Sequence, residues 1–125
     1  ASMAGARSKA RDAKRISDIG QIQLALEMFY DRCKQYPAAT GNAVSETTTC
    51  LTKGNIKLSD YIAKIPTPPT SSLTQPNYIY VTNSSDYYLT IQLENYNDVL
   101  KDGTLITIGF ISCNPTGNIY CVGAR

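Results

Sequence analysis

The stretch ARSKARDAKRISDIGQIQLALEMFYDRCKQYP, residues 6–37, decides the fold. Its second half repeats apolar residues three and four apart. Ile19, Ile22, Leu26, Phe29 and Cys33 therefore fall on one stripe of a helix. Its first half has no such stripe: before Ile16 the apolar residues are alanines and Met3. The spacing predicts one long helix over residues 6–36, roughly 40 Å from Ala6 to Cys33 at about 1.5 Å per residue. A helix with a full stripe at one end only should pack into a domain by its C-terminal half and project from it by its N-terminal half. Ile19, Ile22, Leu26 and Phe29 are its expected core stripe. Gly20 interrupts the helix at a cost of about 1 kcal/mol relative to Ala. It admits a neighbouring backbone, permits a bend, or is merely tolerated. Tyr36-Pro37 is expected to end the helix, because the residue before proline is biased away from helical backbone.

Downstream, residues 38–77 read as a connection containing one short helix. Residues 38–53 are rich in Ala, Thr, Ser, Gly and Asn, the composition of a surface loop. Residues 58–65 read as a short helix with Ser59 as N-cap, and Leu58, Tyr61, Ile62 and Ile65 as its apolar face. Pro66, Pro68 and Pro69 stop it. Residues 78–125 read as a sheet and a C-terminal loop. Strands are expected at 78–81 and 87–93, with Asn83-Ser84-Ser85-Asp86 as the turn between them. Along the second, Tyr87, Leu89, Ile91 and Leu93 alternate with Tyr88, Thr90, Gln92 and Glu94, so one face is buried. A third strand is expected at 104–111 and a short fourth at 119–122. The fold class is α+β: one domain, a long N-terminal helix packed on a small antiparallel sheet of three or four strands.

With 125 residues, 42% hydrophobic and 18% charged, the chain suits one globular domain. No stretch approaches the ~20 apolar residues of a membrane span. The start Ala1-Ser2-Met3 reads as the remnant of a cleaved tag within residues 1–5, so the natural N-terminus is expected to be missing. The net charge of +2 conceals an asymmetry. Arg7, Lys9, Arg11, Lys14 and Arg15 crowd the first fifteen positions against one acid, Asp12, and the remainder is slightly acidic. Such a segment is a solvated helix end, a contact for lipid headgroups or, less suitably, a nucleic-acid contact.

The four cysteines, Cys33, Cys50, Cys113 and Cys121, come without histidine, and their spacings fit no zinc pattern. An even count in a small domain points to two disulfides and an oxidising compartment. Three connectivities are open. The sequential one, Cys33–Cys50 with Cys113–Cys121, is favoured because each pair is close in the chain, and buried thiols are the alternative. Asp98 and Asp102 could supply oxygen to calcium, but their spacing does not match an EF-hand loop, and a plain connection is preferred. No other cofactor is expected. No nucleophile–base pair and no phosphate-cradling glycine loop is present, so the reading is non-enzymatic. The nine tyrosines suit strand packing.

The residues from Ala10 to Ile19, then Gln21 to Tyr30, then Gln35-Tyr36-Pro37, resemble the part of the N-terminal helix of type IV pilins and pseudopilins that follows the membrane segment. The run Leu58-Ser59-Asp60-Tyr61-Ile62-Ala63-Lys64-Ile65-Pro66 is similar to that family's short helix. The run from Tyr78 to Glu94 is similar to its first hairpin, and Cys113 with Cys121 resembles its disulfide-closed C-terminal loop. The resemblance spans nearly the whole chain. It implies a leader peptide and an apolar segment upstream, a methylated N-terminus in the processed precursor, and anchoring in a membrane before assembly. It also implies an extracellular filament of copies of this chain and other pilins, built by an inner-membrane machinery, for adhesion, motility or DNA uptake. Arg7, Lys9, Arg11, Lys14 and Arg15 would then meet lipid headgroups before assembly and neighbouring subunits afterwards. A type II secretion pseudopilin, distinguished by calcium dependence, and a DNA-binding competence pilin are the alternatives.

Overall fold

The computed structural model describes residues 3–51, 54–102, 106–108, 111–113 and 117–123, with the backbone alone at 101, 102, 106–108, 111 and 112. Helix α1 runs from Met3 to Cys33, 31 residues. It starts earlier than expected, with residues 3–5 already helical. It also stops before Tyr36-Pro37. Lys34 turns into left-handed backbone at φ 58°, and its N–H donates to the Tyr30 carbonyl at 2.7 Å. This is a left-handed C-cap filled by lysine where glycine is the usual occupant.

The main sheet has three antiparallel strands: β3 (Ile79–Thr82), β4 (Tyr87–Gln92) and β7 (Ile119–Gly123), in the order β3-β4-β7. Two-residue strands β1 (Thr49–Cys50) and β2 (Ile56–Lys57) form a separate ribbon, and β5 (Ile106–Ile108) pairs with β6 (Ile111–Cys113). The coarse α+β expectation holds. The single third strand over 104–111 does not: the run is split, with Ile108 opposite Ile111, and the third strand of the sheet is β7. A glycine inside a strand pattern is a signal for such a break. Thr104, Leu105, Gly109 and Phe110 of that expected strand lie outside the described residues. The turn at 83–86 is as read, with the Asn83 side-chain oxygen accepting the N–H groups of Ser85 and Asp86 at 3.0 and 2.8 Å.

The helix lies on the face of β4 that carries Tyr87, Leu89 and Ile91. Ile19, Ile22 and Leu26 join them and Tyr78, Tyr80, Leu93 and Leu100 in the main core. Phe29 belongs to a second cluster, with Ala25, Cys33, Cys50, Ile56 and Leu58. Each buried Ile, Leu or Phe side chain among them contributes about 1.5–3 kcal/mol. On the opposite sheet face Thr90 stands across from Cys121, and Cys121 is joined to Cys113 (S–S 2.08 Å, Cα–Cα 5.8 Å).

The expected Cys33–Cys50 bridge is replaced by two buried thiols. The Cys33 thiol hydrogen-bonds to Cys50, and burial first, then that bond, pushes it up to about 12. The loop the bridge was to anchor is held by tyrosines. Tyr36 stacks on Tyr30 at 4.4 Å and meets Tyr87 edge-on at 4.8 Å, and its N–H donates to the Ser84 carbonyl. The Tyr80 hydroxyl donates to the Pro37 carbonyl at 2.7 Å, and its N–H donates to the Asn42 carbonyl at 2.8 Å. The expected helix over 58–65 shrinks to one 3-10 turn, Leu58–Asp60. Ser59 lies inside that turn, and Lys57 precedes it; the Asp60 carboxylate accepts the Lys57 N–H at 3.0 Å. Pro66 disfavours helical backbone at Ile65, which leaves too little length for an α-helix.

Candidate assembly surface

The N-terminal half of α1 does not project free. Its buried stripe continues past Ile19 towards the N-terminus in polar residues: Ser8, Asp12 and Arg15 keep the spacing of four and three that Ile19, Ile22, Leu26, Phe29 and Cys33 follow. Asp12, Arg15 and Asp18 are buried, Arg15 completely. Arg15 Nη1 donates to Asp12 Oδ1 at 2.8 Å and to Glu94 Oε2 at 2.7 Å, and its Nη2 donates to Ser71 Oγ at 3.1 Å. Asp12 in turn accepts the backbone N–H groups of Glu94 and Asn95 at 2.8 and 2.9 Å, and the Asn95 carboxamide at 3.0 Å. That carboxamide also reaches Ser8 Oγ at 3.1 Å. A buried arginine is tolerable only when its charge is paired; here two carboxylates share it, while its Nε is buried with no hydrogen-bond partner among the described residues.

Arg11 grips Glu94 with both prongs of its guanidinium, each at 2.7 Å. The Arg11 hydrogen bond, with that of Arg15 and both positive charges, outweighs desolvation and lowers the Glu94 carboxyl to about 2. The same pairing raises Arg11. Lys14 pairs with Asp18 and donates to the Thr67 carbonyl at 2.8 Å. Asp18 also accepts the Tyr78 hydroxyl at 2.6 Å; burial and that bond raise Tyr78. The belt thus ties α1 to the segment after β4, to the proline strap at 67–71 and to the start of β3.

Arg15 is buried and paired within the domain, and Arg11 and Lys14 make ion pairs within it while 36% and 49% of their side chains stay exposed. Arg7 and Lys9 are exposed, and no salt bridge to either occurs among the described residues.

The opposite side of α1 is bare. Ala10, Ala13, Ser17 and Gly20 are exposed small residues in line with Leu24 and Met28, which are 61% and 36% exposed. A Cβ placed on Gly20 would meet nothing within 4 Å. The helix therefore carries two long faces, one given to the head and one open.

Of the calcium candidates, Asp98 is exposed at the start of the 3-10 turn Asp98–Asp102, and the side chain of Asp102 lies outside the described residues. Asn97 Oδ1 accepts the Val99 N–H at 3.0 Å, so it stabilises the turn itself. Among the described residues no group of three or more acidic or thiol side chains gathers to hold a metal, and no helix is long and apolar enough to cross a membrane. Comparison of the chain with protein-family models, curated proteins and solved structures found no match.

Proposed function

We propose that this chain is the head of a structural subunit of a type IV pilus, polymerising through α1 into an extracellular filament. The observation that carries the reading is the division of α1 into two long faces. One is locked to the head by apolar contacts at residues 19–33 and by the charged belt at residues 8–18. The other, from Ala10 through Gly20 to Met28, is small-sided and then apolar, and it is open along about 30 Å of helix at 1.5 Å per residue. Small residues let helices approach closely, and Leu24 and Met28 offer apolar area to bury.

The belt suits such a role. A helix that carries load along a filament needs its upper half fixed to the head without apolar residues that would compete for the subunit interface. Charged pairs do this while leaving the outer face unchanged. Arg7 and Lys9 stand at the free end, where they face lipid headgroups before assembly and acidic neighbours afterwards. The joined Cys113 and Cys121 favour a pilin over a secretion pseudopilin within the resemblance.

The test is immunogold electron microscopy of cells that make the protein, with antibody raised against the isolated domain. Label spaced along surface filaments is expected. Label confined to the membrane, or to a soluble secreted fraction, refutes the reading.

A further inference from the structure

The turn between β3 and β4 carries a modification signal that the filament reading does not use. Asn83-Ser84-Ser85 has the form Asn-x-Ser/Thr with x other than proline, the acceptor signal for N-linked glycosylation. Of the other asparagines, only Asn114 has a serine or threonine two positions on, and there Pro115 breaks the signal. Three-residue matches are frequent by chance. What singles this one out is where the fold puts it and what each of its atoms does.

The signal lies at a hairpin tip, and Asn83, Ser84, Ser85 and Asp86 are all exposed. The side-chain bonds that shape the tip are at the surface too: Thr82 Oγ1 donates to the Asp86 carbonyl at 2.7 Å and accepts the Ser84 N–H at 3.0 Å. The Ser84 carbonyl accepts the Tyr36 N–H at 2.8 Å, so the tip stands beside the C-terminal end of α1. Met3, at the other end, is roughly 45 Å of helix away at about 1.5 Å per residue. An enzyme can therefore reach the turn from solvent without opening the core.

Asn83 Oδ1 accepts the N–H groups of Ser85 and Asp86 at 3.0 and 2.8 Å. Both partners are donors, which identifies that atom as the oxygen and the other as the nitrogen. Among the described residues, neither Asn83 Nδ2 nor Ser85 Oγ has a hydrogen-bond partner. These are the two groups the signal requires, the amide nitrogen as nucleophile and the hydroxyl as recognition element. The turn uses neither. An aspartate at position 83 would accept the same two N–H groups, so turn formation accounts for the oxygen of Asn83 and leaves its nitrogen and the Ser85 hydroxyl without a role in the fold.

We propose that Asn83 is an N-glycosylation site, taking its glycan from a polyprenyl-diphosphate-linked oligosaccharide through an oligosaccharyltransferase. The Nδ2 lone pair bonds to C1 of the first sugar. The bond from C1 to the diphosphate oxygen breaks, and polyprenyl diphosphate leaves with that electron pair. Nδ2 gives up one of its two hydrogens as a proton to solvent. An amide nitrogen is a poor nucleophile because its lone pair is shared with the carbonyl, so the enzyme must twist the group and hold both N–H bonds, and here both are unengaged. The joined Cys113 and Cys121 suit an oxidising compartment, where exported chains meet such donors. The inference does not depend on the filament reading.

The test is intact-mass and fragmentation mass spectrometry of the chain purified from cells that make it, for the parent and three variants. The parent is expected to exceed its sequence mass by whole sugar residues, with the sugar on the Asn83 nitrogen and none on Asn114. Asn83→Asp keeps the turn and removes the nitrogen; Ser85→Ala removes a hydroxyl without a partner. Both are expected to lose the glycan completely while melting, once freed of any glycan, as the similarly deglycosylated parent does. Ser85→Thr retains the signal and is expected to retain the glycan. A parent at its bare sequence mass overturns the inference. So does sugar on the Ser84 or Ser85 oxygen in place of Asn83, or a glycan on Asn83 that survives Ser85→Ala.

Discussion

Replacing Glu94 by glutamine tests the charged belt at its most connected point. In the folded protein the Glu94 carboxyl sits at about 2, against an ordinary 4.5, because Arg11 and Arg15 bind its charged form. A carboxyl held below its unfolded value stabilises the fold when pH lies above that unfolded value. The contribution then drains away as pH falls through the folded one. The window is therefore about pH 4.5 down to 2. At 1.36 kcal/mol per unit the displacement corresponds to an upper value of about 3 kcal/mol. The side chain keeps 17% of its exposure, and solvent screening brings the expected contribution to about 1–2 kcal/mol. That figure already contains what buried Arg15 loses when Glu94 no longer pairs with it, Asp12 remaining as its anionic partner among the described residues. Glu94→Gln should thus lose about 1–2 kcal/mol at pH 7 in urea unfolding. The gap between parent and variant should shrink between pH 4.5 and 2, as the parent gives up what the variant never had. A variant within about 0.5 kcal/mol of the parent at pH 7, or a gap that stays constant down to pH 2.5, would refute the reasoning.

Three further outcomes follow from the helix and the sheet. Gly20→Ala should raise stability by about 1 kcal/mol in the same unfolding assay, since the position is an exposed helix interior with nothing near a new Cβ. If the open face of α1 is a subunit contact, the same change should reduce filament yield, read by shearing and weighing surface filaments. Phe29→Ala should cost about 3–5 kcal/mol by emptying the centre of the second core cluster. In alkaline titration followed by tyrosinate absorbance, Tyr36 and Tyr80 should lag the exposed tyrosines. Burial first, with Glu27 beside Tyr36, moves each up to about 12. Because these values are raised, the stability they lend is complete below about pH 10 and declines above it.

The lower half of α1 and the β3–β4 hairpin were legible in the sequence because apolar periodicity reports burial directly. Ile19, Ile22 and Leu26 face Leu89 and Ile91 for the reason their spacing implies. The upper half was misread because its buried stripe is written in Asp12 and Arg15, residues that periodicity counts as solvent-facing. Their partners, Glu94 and Asn95, lie some eighty positions away. The one available signal was the regular spacing: Ser8, Asp12 and Arg15 extend the series of Ile19 and Ile22 without a break in step. The division of residues 106–113 into two strands was announced by Gly109, but a run of isoleucines around it reads as continuous. The end of α1 at Cys33 depended on Lys34 adopting left-handed backbone, which a lysine does not advertise. The loop after α1 was expected to need a disulfide, yet the ring contacts of Tyr30, Tyr36 and Tyr87 anchor it. Tyrosine-rich strands signal packing in general and give no indication of which loop the rings will seize.

The most direct test of the filament reading is a photo-reactive residue placed on α1 in cells that make the full protein. Leu24 is the site, 61% exposed on the open face, and Ser85, exposed at the β3–β4 turn, is the control. Illumination of sheared surface filaments should give a ladder of covalent multimers from position 24 and leave position 85 monomeric. A ladder from position 85 alone, equal ladders from both, or none from position 24 would contradict assembly through the helix.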